Sequence, residues 1–193
     1  MAARYSVSMS PRQPRPEPAR RVLPDLWLLS DARNDASLEW ALATLPKGNA
    51  FVFRHYHLET AVRRQRFDQL AQLARAGAHL VILSGDADLA LEWGADGIYG
   101  PPGRLGKRDG LLRLATAHGA REIFLANRAQ VDGIFLSPAF PTRSHPGGGC
   151  LGKSLFHELA AQAHVPVIAL GGMNAERAKE LGWPRWAAID GLS

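Results

Sequence analysis

Residues 131–138, VDGIFLSP, place a short apolar run, Gly133–Leu136, between a polar turn and a proline. Residues 165–173, VPVIALGGM, repeat this arrangement one helical segment further along the chain and end in two glycines. Apolar runs of this length without polar alternation are typical of strands buried on both faces, as in a parallel sheet covered by helices. The two segments therefore predict consecutive parallel strands that are joined by a helix.

The same pattern recurs from residue 26 to the end of the chain. Helical segments, predicted over 37–45, 59–78, 86–93, 120–129, 153–164 and 174–181, separate most of the apolar runs. Eight such runs favour a small, closed (β/α)8 barrel (a TIM barrel), and an open flavodoxin-like sheet is the alternative. The predicted strands are Leu26–Leu29, Ala50–Phe53, His79–Leu83, Gly97–Tyr99, Leu111–Ala115, Gly133–Leu136, Val165–Leu170 and Trp186–Ile189.

No helical segment follows the eighth predicted strand, so we expect the barrel to lack its final helix. A missing helix would leave apolar strand surface in water, which is unfavourable for a monomer. A second copy of the chain can cover such a surface through a two-fold interface. A homodimer is therefore one expectation from the sequence.

Composition narrows the class of protein. The chain has 193 residues, 46% of them hydrophobic and 21% charged, which predicts one soluble domain with a sizeable core. No apolar run approaches the roughly 20 residues of a membrane-spanning helix, so we expect no membrane partner. A single cysteine, Cys150, excludes an internal disulfide and favours a reducing, cytoplasmic compartment.

The basic charge is concentrated at the N-terminus. Residues 1–22 contain five arginines and four prolines but only one glutamate, so they supply most of the net charge of +5. This composition predicts a disordered tail that precedes a barrel domain over residues 23–193. Because the domain itself is nearly neutral, we expect no nucleic-acid partner.

Candidate site residues lie where predicted strands end, because the active sites of such barrels form at the C-terminal ends of the strands. Arg54 follows the second strand and suits a phosphate or carboxylate, although a salt bridge between loops is an equal alternative. His118 follows the fifth strand and is able to transfer protons there, although a helix-capping or solvent-facing histidine would look the same. His55 and His57 lack a third ligand nearby, so we predict no metal site.

Two further loops have the composition of an anion site. The loop after the sixth strand combines the hydroxyls of Thr142 and Ser144 with the flexible run 147–149, GGG. Gly171 and Gly172, after the seventh strand, allow the backbone to approach a ligand closely. In barrels this corner commonly binds phosphate.

Three segments carry a family resemblance: 88–98 (DLALEWGADGI), 131–142 (VDGIFLSPAFPT) and 165–173 (VPVIALGGM). In this order, over about residues 25–193, the sequence resembles the thiamine phosphate synthase/TenI family. The resemblance implies a (β/α)8 barrel and a role in thiamine biosynthesis. Synthase members join a pyrimidine diphosphate to a thiazole phosphate with Mg²⁺. TenI-type members bind the thiazole phosphate alone and aromatise its carboxylated tautomer.

The resemblance also implies that the pyrimidine diphosphate half of the site has changed. Arg54 alone remains from the family motif on the second strand, and Thr116 replaces a serine on the fifth. Ser84-Gly85 and Arg104 stand where synthases have the carboxylates that hold Mg²⁺, and His145 stands where they have a lysine. We therefore expect no metal, and Mg²⁺ only if the chain is a synthase after all.

The thiazole phosphate half is better preserved. Thr142 and Ser144 match the family's hydroxyl pair, and Gly171-Gly172 match its phosphate glycines. Ile189-Asp190 match the last phosphate-binding dipeptide, where the carboxylate of Asp190 is expected to repel a phosphate. His118 matches the histidine that TenI-type enzymes place beside the thiazole.

These matches predict a TenI-like enzyme of thiamine biosynthesis that binds a phosphorylated thiazole. His118 would move a proton between ring positions without any cofactor. A divergent thiamine phosphate synthase is the first alternative. A non-catalytic, ligand-sensing barrel is the second.

Overall fold

The computed structural model describes residues 22–107, 109–144 and 147–192. The predicted tail therefore lies outside the described residues, apart from Val22, and so does the candidate ligand His145.

Eight parallel strands close into a barrel in the order of the sequence. The closing contact pairs the eighth strand with the first, with Leu28 opposite Ala188. The prediction of a (β/α)8 barrel is confirmed, and the open-sheet alternative is excluded. The strands are β1 (Leu26–Leu29), β2 (Ala50–Phe53), β3 (Leu80–Leu83), β4 (Gly97–Gly100), β5 (Leu112–Ala117), β6 (Gly133–Leu136), β7 (Val167–Ala169) and β8 (Trp186–Ala188).

Within the described ranges, six α-helices surround the strands: α1 (Leu38–Thr44), α2 (Thr60–Ala76), α3 (Ala87–Glu92), α4 (Ala120–Ala129), α5 (Gly152–Ala160) and α6 (Ala175–Leu181). The side chains of Asp86 and Asn174 start α3 and α6 by accepting the backbone N–H of Leu89 and Arg177, each at 2.8 Å. Short 3-10 turns at Asp35–Ser37 and Pro102–Arg104 follow β1 and β4. No described helix is long and apolar enough to cross a bilayer.

The core has two layers that follow from the alternation of side chains along each strand. One layer fills the barrel, where Phe135 makes edge-to-face contacts with Trp27 and Tyr99 at 5.2 and 5.0 Å between ring centroids. The other layer lies between the strands and the helices, and Phe53, Phe67 and Phe156 are fully buried in it. Because the strands are parallel and the barrel is closed, their C-terminal ends surround one mouth.

The described residues contain no helix after β8, as expected, but the barrel surface there is not exposed. The outward residues of β8, Trp186 and Ala188, are only 6% and 3% exposed, and Leu28 of β1 is fully buried. They pack in the same cluster as Leu38 and Leu42 of α1. The expectation of exposed strand surface is therefore wrong, because these side chains are buried in a cluster that includes α1. The homodimer remains a prediction without that support.

Two glycines of β4 allow a test of how tightly the barrel is packed. A Cβ at Gly97 would lie 2.5 Å from the carbonyl oxygen of Leu112 in the neighbouring strand, whereas a Cβ at Gly100 would meet nothing within 4 Å. We expect Gly97→Ala to lower the free energy of unfolding by about 2 kcal/mol or more through overpacking. Gly100→Ala, on the same strand, should change it by less than about 1 kcal/mol. Urea unfolding of both variants measures the difference, and equal stabilities would contradict this packing.

Candidate active site

The strand ends surround a cavity of about 360 Å³ at the mouth of the barrel. Thr116 lines a neighbouring cavity instead of this one. The other described candidates all line the mouth cavity, namely Arg54, His118, Thr142, Ser144, Gly171, Gly172, Ile189 and Asp190. Residues up to 136 positions apart in the sequence thus meet at one site.

Gly171 and Gly172 are required by the loops around them. Both have positive φ angles, 89° and 65°, which favour glycine. A Cβ at Gly171 would lie 2.7 Å from the Cα of Pro138, and one at Gly172 would collide with the carbonyl oxygen of Pro141. The two glycines therefore let the loop after β7 pack against the loop after β6. Both glycines also line the mouth cavity, so loop packing and access for a ligand each favour glycine at these positions.

The hydroxyl pair is held by an arginine that the sequence did not indicate. The Ser144 hydroxyl accepts a hydrogen bond from Arg33 Nη2 at 2.9 Å, and the Thr142 hydroxyl accepts the Ser144 backbone N–H at 3.3 Å. Arg33 lies in the loop after β1, 111 positions from Ser144. Its place after the first strand was the only signal that could have found it.

Arg33 also changes the expected effect of Asp190. Its Nη1 lies 3.7 Å from the Asp190 carboxylate, which places a positive charge beside that negative one. Arg54, Arg143 and Arg177 line the same cavity. The cavity therefore presents four guanidinium groups with Asp190, and the repulsion expected from Asp190 is offset.

A buried amide fixes the loop that carries Arg33. Asn34 Nδ2 donates hydrogen bonds to the carbonyl oxygens of Leu29, at 3.0 Å, and Ile189, at 2.8 Å. Its Oδ1 accepts the backbone N–H of Asp31 at 2.8 Å. Since Ile189 follows β8 and Leu29 ends β1, this one side chain joins the loops on either side of the barrel closure.

Arg54 occupies the border between the two cavities. Its Nη2 forms a 2.8 Å ion pair with Asp31, and its Nε donates to the Ser30 carbonyl oxygen at 2.9 Å. The salt-bridge interpretation is therefore confirmed, and the same residue lines both cavities. Burial alone would raise the pKa of Asp31, but hydrogen bonds from Arg33 and the charges of both arginines hold that pKa below its usual value.

His118 stands at the junction of β5 and α4 with a carboxylate beside it. Its Nδ1 lies 2.9 Å from Glu122 Oε2, and the same oxygen accepts the His118 backbone N–H. Because a carboxylate accepts hydrogen bonds, Nδ1 carries the proton in this pair and Nε2 of a neutral ring is left as the base. Glu122 was not predicted, although its spacing of four residues at the start of a helix is a recognisable signal.

The histidine after β2 is structural. His55 is buried, with Nδ1 2.7 Å from the Ser30 hydroxyl and Nε2 2.8 Å from Asp35 Oδ1. Arg66 completes the network by pairing with Asp35. Among the described residues no group of three or more His, Cys, Asp or Glu side chains is arranged to hold a metal ion.

The second cavity, of about 610 Å³, shares Arg54 and Tyr99 with the first. Burial raises the pKa of Tyr99 to about 12, so its hydroxyl stays neutral between the two spaces. Among the described residues, Asp86 is the only carboxylate on the wall. The remaining lining residues are Tyr56, Ser84, Gly85, Gly100, Pro101, Arg104, Leu105 and Thr116.

Comparison with known proteins identifies the family. The family model described as thiamine monophosphate synthase, TMP-TENI, matches residues 26–188. The chain belongs to this family. Over 195 aligned positions it is 32% identical to the thiamine-phosphate synthase of Chromobacterium violaceum, with 93% of this chain and 89% of that protein covered.

Solved structures show the same fold. A thiamine phosphate pyrophosphorylase from Pyrococcus furiosus superposes with a TM-score of 0.70 at 23% identity, covering 86% of this chain and 85% of that one. FabK from Thermotoga maritima superposes with a TM-score of 0.69 at 14% identity, covering 90% of this chain and 60% of that one. The TMP-TENI barrel is therefore shared with a protein of another name, and fold alone does not fix the reaction.

The buried His55 predicts acid sensitivity for this TMP-TENI barrel. Burial lowers the pKa of His55, and Asp35 offsets this only in part. Below pH 6.5 the unfolded chain binds a proton that the folded chain resists, so this contribution to stability is present above pH 6.5 and lost below it. We therefore expect the free energy of unfolding to fall as the pH drops below 6.5, with His55 as one contributor.

Urea unfolding at pH 7.5 and 5.5 measures this slope. His55→Gln should be less stable at pH 7.5 but should show a shallower pH dependence than the parent. His164→Gln changes an exposed histidine and should keep the parental slope. An unchanged slope in His55→Gln would contradict the assignment.

Proposed function

We propose that the mouth cavity binds a phosphorylated thiazole and that the chain is an enzyme acting on it. The convergence of the phosphate-half residues and four arginines around one cavity carries this proposal. Guanidinium groups and hydroxyls suit a phosphate, and Leu170, Met173 and Ile189 add apolar surface to the cavity for a ring. We also propose a reducing, cytoplasmic location, supported by the one free cysteine, Cys150.

Thiamine phosphate synthesis is the first candidate reaction, because the name of the Chromobacterium relative favours it over tautomerisation. In this reaction the thiazole nitrogen attacks the methylene carbon of a pyrimidine diphosphate, and diphosphate leaves. The second cavity adjoins the first at Arg54 and offers the space for that second substrate. Arg54, on the border, would bind the leaving group there.

The described residues do not fit the Mg²⁺ ion that such a synthase uses. Magnesium needs oxygen ligands, most often from carboxylates, and in the part of the chain that the structure describes Asp86 is the only carboxylate on the wall of the second cavity. Its Oδ1 already accepts the backbone N–H of Leu89. Gly85 and Arg104 supply no oxygen ligand from their side chains.

Ring tautomerisation is the second candidate, favoured by the His118–Glu122 pair. With Nδ1 held by Glu122, Nε2 of His118 can take a proton from one ring position and return it at another. Glu122 would position the imidazole and stabilise its protonated form. The reaction leaves all atoms within the substrate and needs no cofactor.

One assay separates the two reactions. Purified protein is incubated either with the carboxylated thiazole phosphate tautomer or with aromatic thiazole phosphate plus the pyrimidine diphosphate, each with Mg²⁺ and with EDTA. Formation of thiamine phosphate and diphosphate supports the synthase. Aromatisation of the tautomer supports the tautomerase. No conversion in either arm would contradict both reactions and leave a ligand-binding barrel.

Substitutions at His118 test the proton transfer. For tautomerisation we expect His118→Ala to lower kcat by about 100-fold or more, and Glu122→Gln by about tenfold, with KM nearly unchanged. For the synthase, where no proton moves at Nε2, both variants should keep most of their kcat. Tautomerase activity that survives His118→Ala would contradict this role.

Arg33 and Asp190 test the phosphate corner. Removing the cation in Arg33→Gln leaves the Asp190 carboxylate beside the phosphate, so we expect KM to rise about tenfold in either reaction. The double variant Arg33→Gln/Asp190→Asn removes the repulsion and should recover part of that loss. Arg121→Gln, on α4 and lining neither cavity, is the matched control. An unchanged KM in Arg33→Gln would place the phosphate elsewhere.

A further inference from the structure

We propose that the second cavity binds a phosphate or diphosphate group by the charge of arginine side chains, without a divalent cation. This inference deepens the synthase candidate above and rests on it for the reaction. It is separable from that candidate because anion binding is measured without turnover. Three guanidinium groups, those of Arg54, Arg63 and Arg104, carry it.

Arg104 brings an uncompensated charge to the wall of the cavity. It ends the 3-10 turn Pro102–Arg104, which follows β4 directly at the mouth. Among the described residues no carboxylate forms an ion pair with it, and its side chain is exposed to solvent. A flexible, unpaired guanidinium at a cavity wall can bind a phosphate through two hydrogen bonds at once.

Arg63 adds a positive charge beneath the same cavity. From α2, its Nη2 donates to the carbonyl oxygens of Ser84 and Arg54, at 2.7 and 3.2 Å, and these residues line the cavity. The guanidinium lies over the rings of Phe53 and Trp93, 5.6 and 5.3 Å from their centroids.

The charge of Arg63 is not balanced by the protein around it. No described carboxylate pairs with this guanidinium, and its buried Nε has no hydrogen-bond partner. Burial lowers the pKa of Arg63, which reflects the cost of holding a cation away from water. A partly buried charge without a carboxylate partner is unfavourable, and an anionic ligand in the adjoining cavity would reduce that cost.

The remaining polar groups fit an anion better than a cation. The Thr116 hydroxyl lines the cavity and can donate a hydrogen bond to a phosphate oxygen. The Ser84 hydroxyl donates to the Tyr99 carbonyl oxygen at 3.2 Å, and the Tyr56 hydroxyl is bonded to Ser84. The opposing charge on the wall is Asp86, whose Oδ1 is engaged at the start of α3. Asp31, outside the lining, compensates Arg54 in part. With Arg63 and Arg104 unpaired, the balance of charge favours an anion.

Calorimetric titration of the full chain with inorganic diphosphate tests the inference. We expect binding in EDTA with an affinity that added Mg²⁺ does not raise. Arg104→Gln should weaken it about tenfold or more, the loss of roughly one charge-assisted contact, and Arg104→Lys should recover part of it. Arg104 is exposed, so these variants should fold normally. Arg121→Gln is the control and should bind like the parent.

Three outcomes would overturn the inference. Binding that requires Mg²⁺ would show that a metal carries the anion. Binding that survives Arg104→Gln but is lost in Arg33→Gln would place diphosphate in the mouth cavity, which leaves the proposed function standing. Absence of binding would contradict the anion site in the second cavity. It would not contradict the proposed thiazole phosphate site, which the assays above test separately. If the inference holds, tighter binding of the pyrimidine diphosphate than of inorganic diphosphate identifies the substrate as the ligand, and equal binding identifies the released anion.

Discussion

The geometry of the mouth depends on one buried side chain, the amide of Asn34. It bonds to the carbonyl oxygens of Leu29 and Ile189, and thereby joins the loop after β1 to the segment after β8, where the barrel closes. In a buried position each of these polar groups would cost free energy if left unpaired, so the loop has little freedom to move. Arg33, the preceding residue, is consequently held where it reaches both Ser144 and Asp190.

The two cavities at the strand ends differ in how their charged side chains are paired. In the first, Asp31 and Asp190 pair with Arg33 and Arg54, so part of the positive charge is already balanced. The second has Arg104 and Arg63 without described carboxylate partners, and this favours a ligand that supplies its own negative charge. Arg54 belongs to both, so the two ligands would meet beside it.

The sequence predicted the barrel and most of its elements. Continuous apolar runs marked the strands, and α4 at Ala120–Ala129 and β6 at Gly133–Leu136 have the predicted bounds. The ends of α2, α5 and β7 were placed a few residues too far out, because burial and not periodicity decides where an element ends. The cover of β8 was misjudged, since Trp186 is buried in the same cluster as residues of α1 and α6, which no local pattern reveals.

For the site, the sequence by itself determined which residue types follow each strand. A closed parallel barrel places all of these strand ends at one mouth. Those residues therefore converge, apart from Thr116, which lines the adjoining cavity. Only the tertiary structure decided which charges meet. Arg33 reaches Asp190 from a loop 157 positions away, and Arg63 reaches the ends of β2 and β3 from a helix. Electrostatic pairing depends on distance in space, and distance in space between loops is set by packing that sequence spacing does not encode.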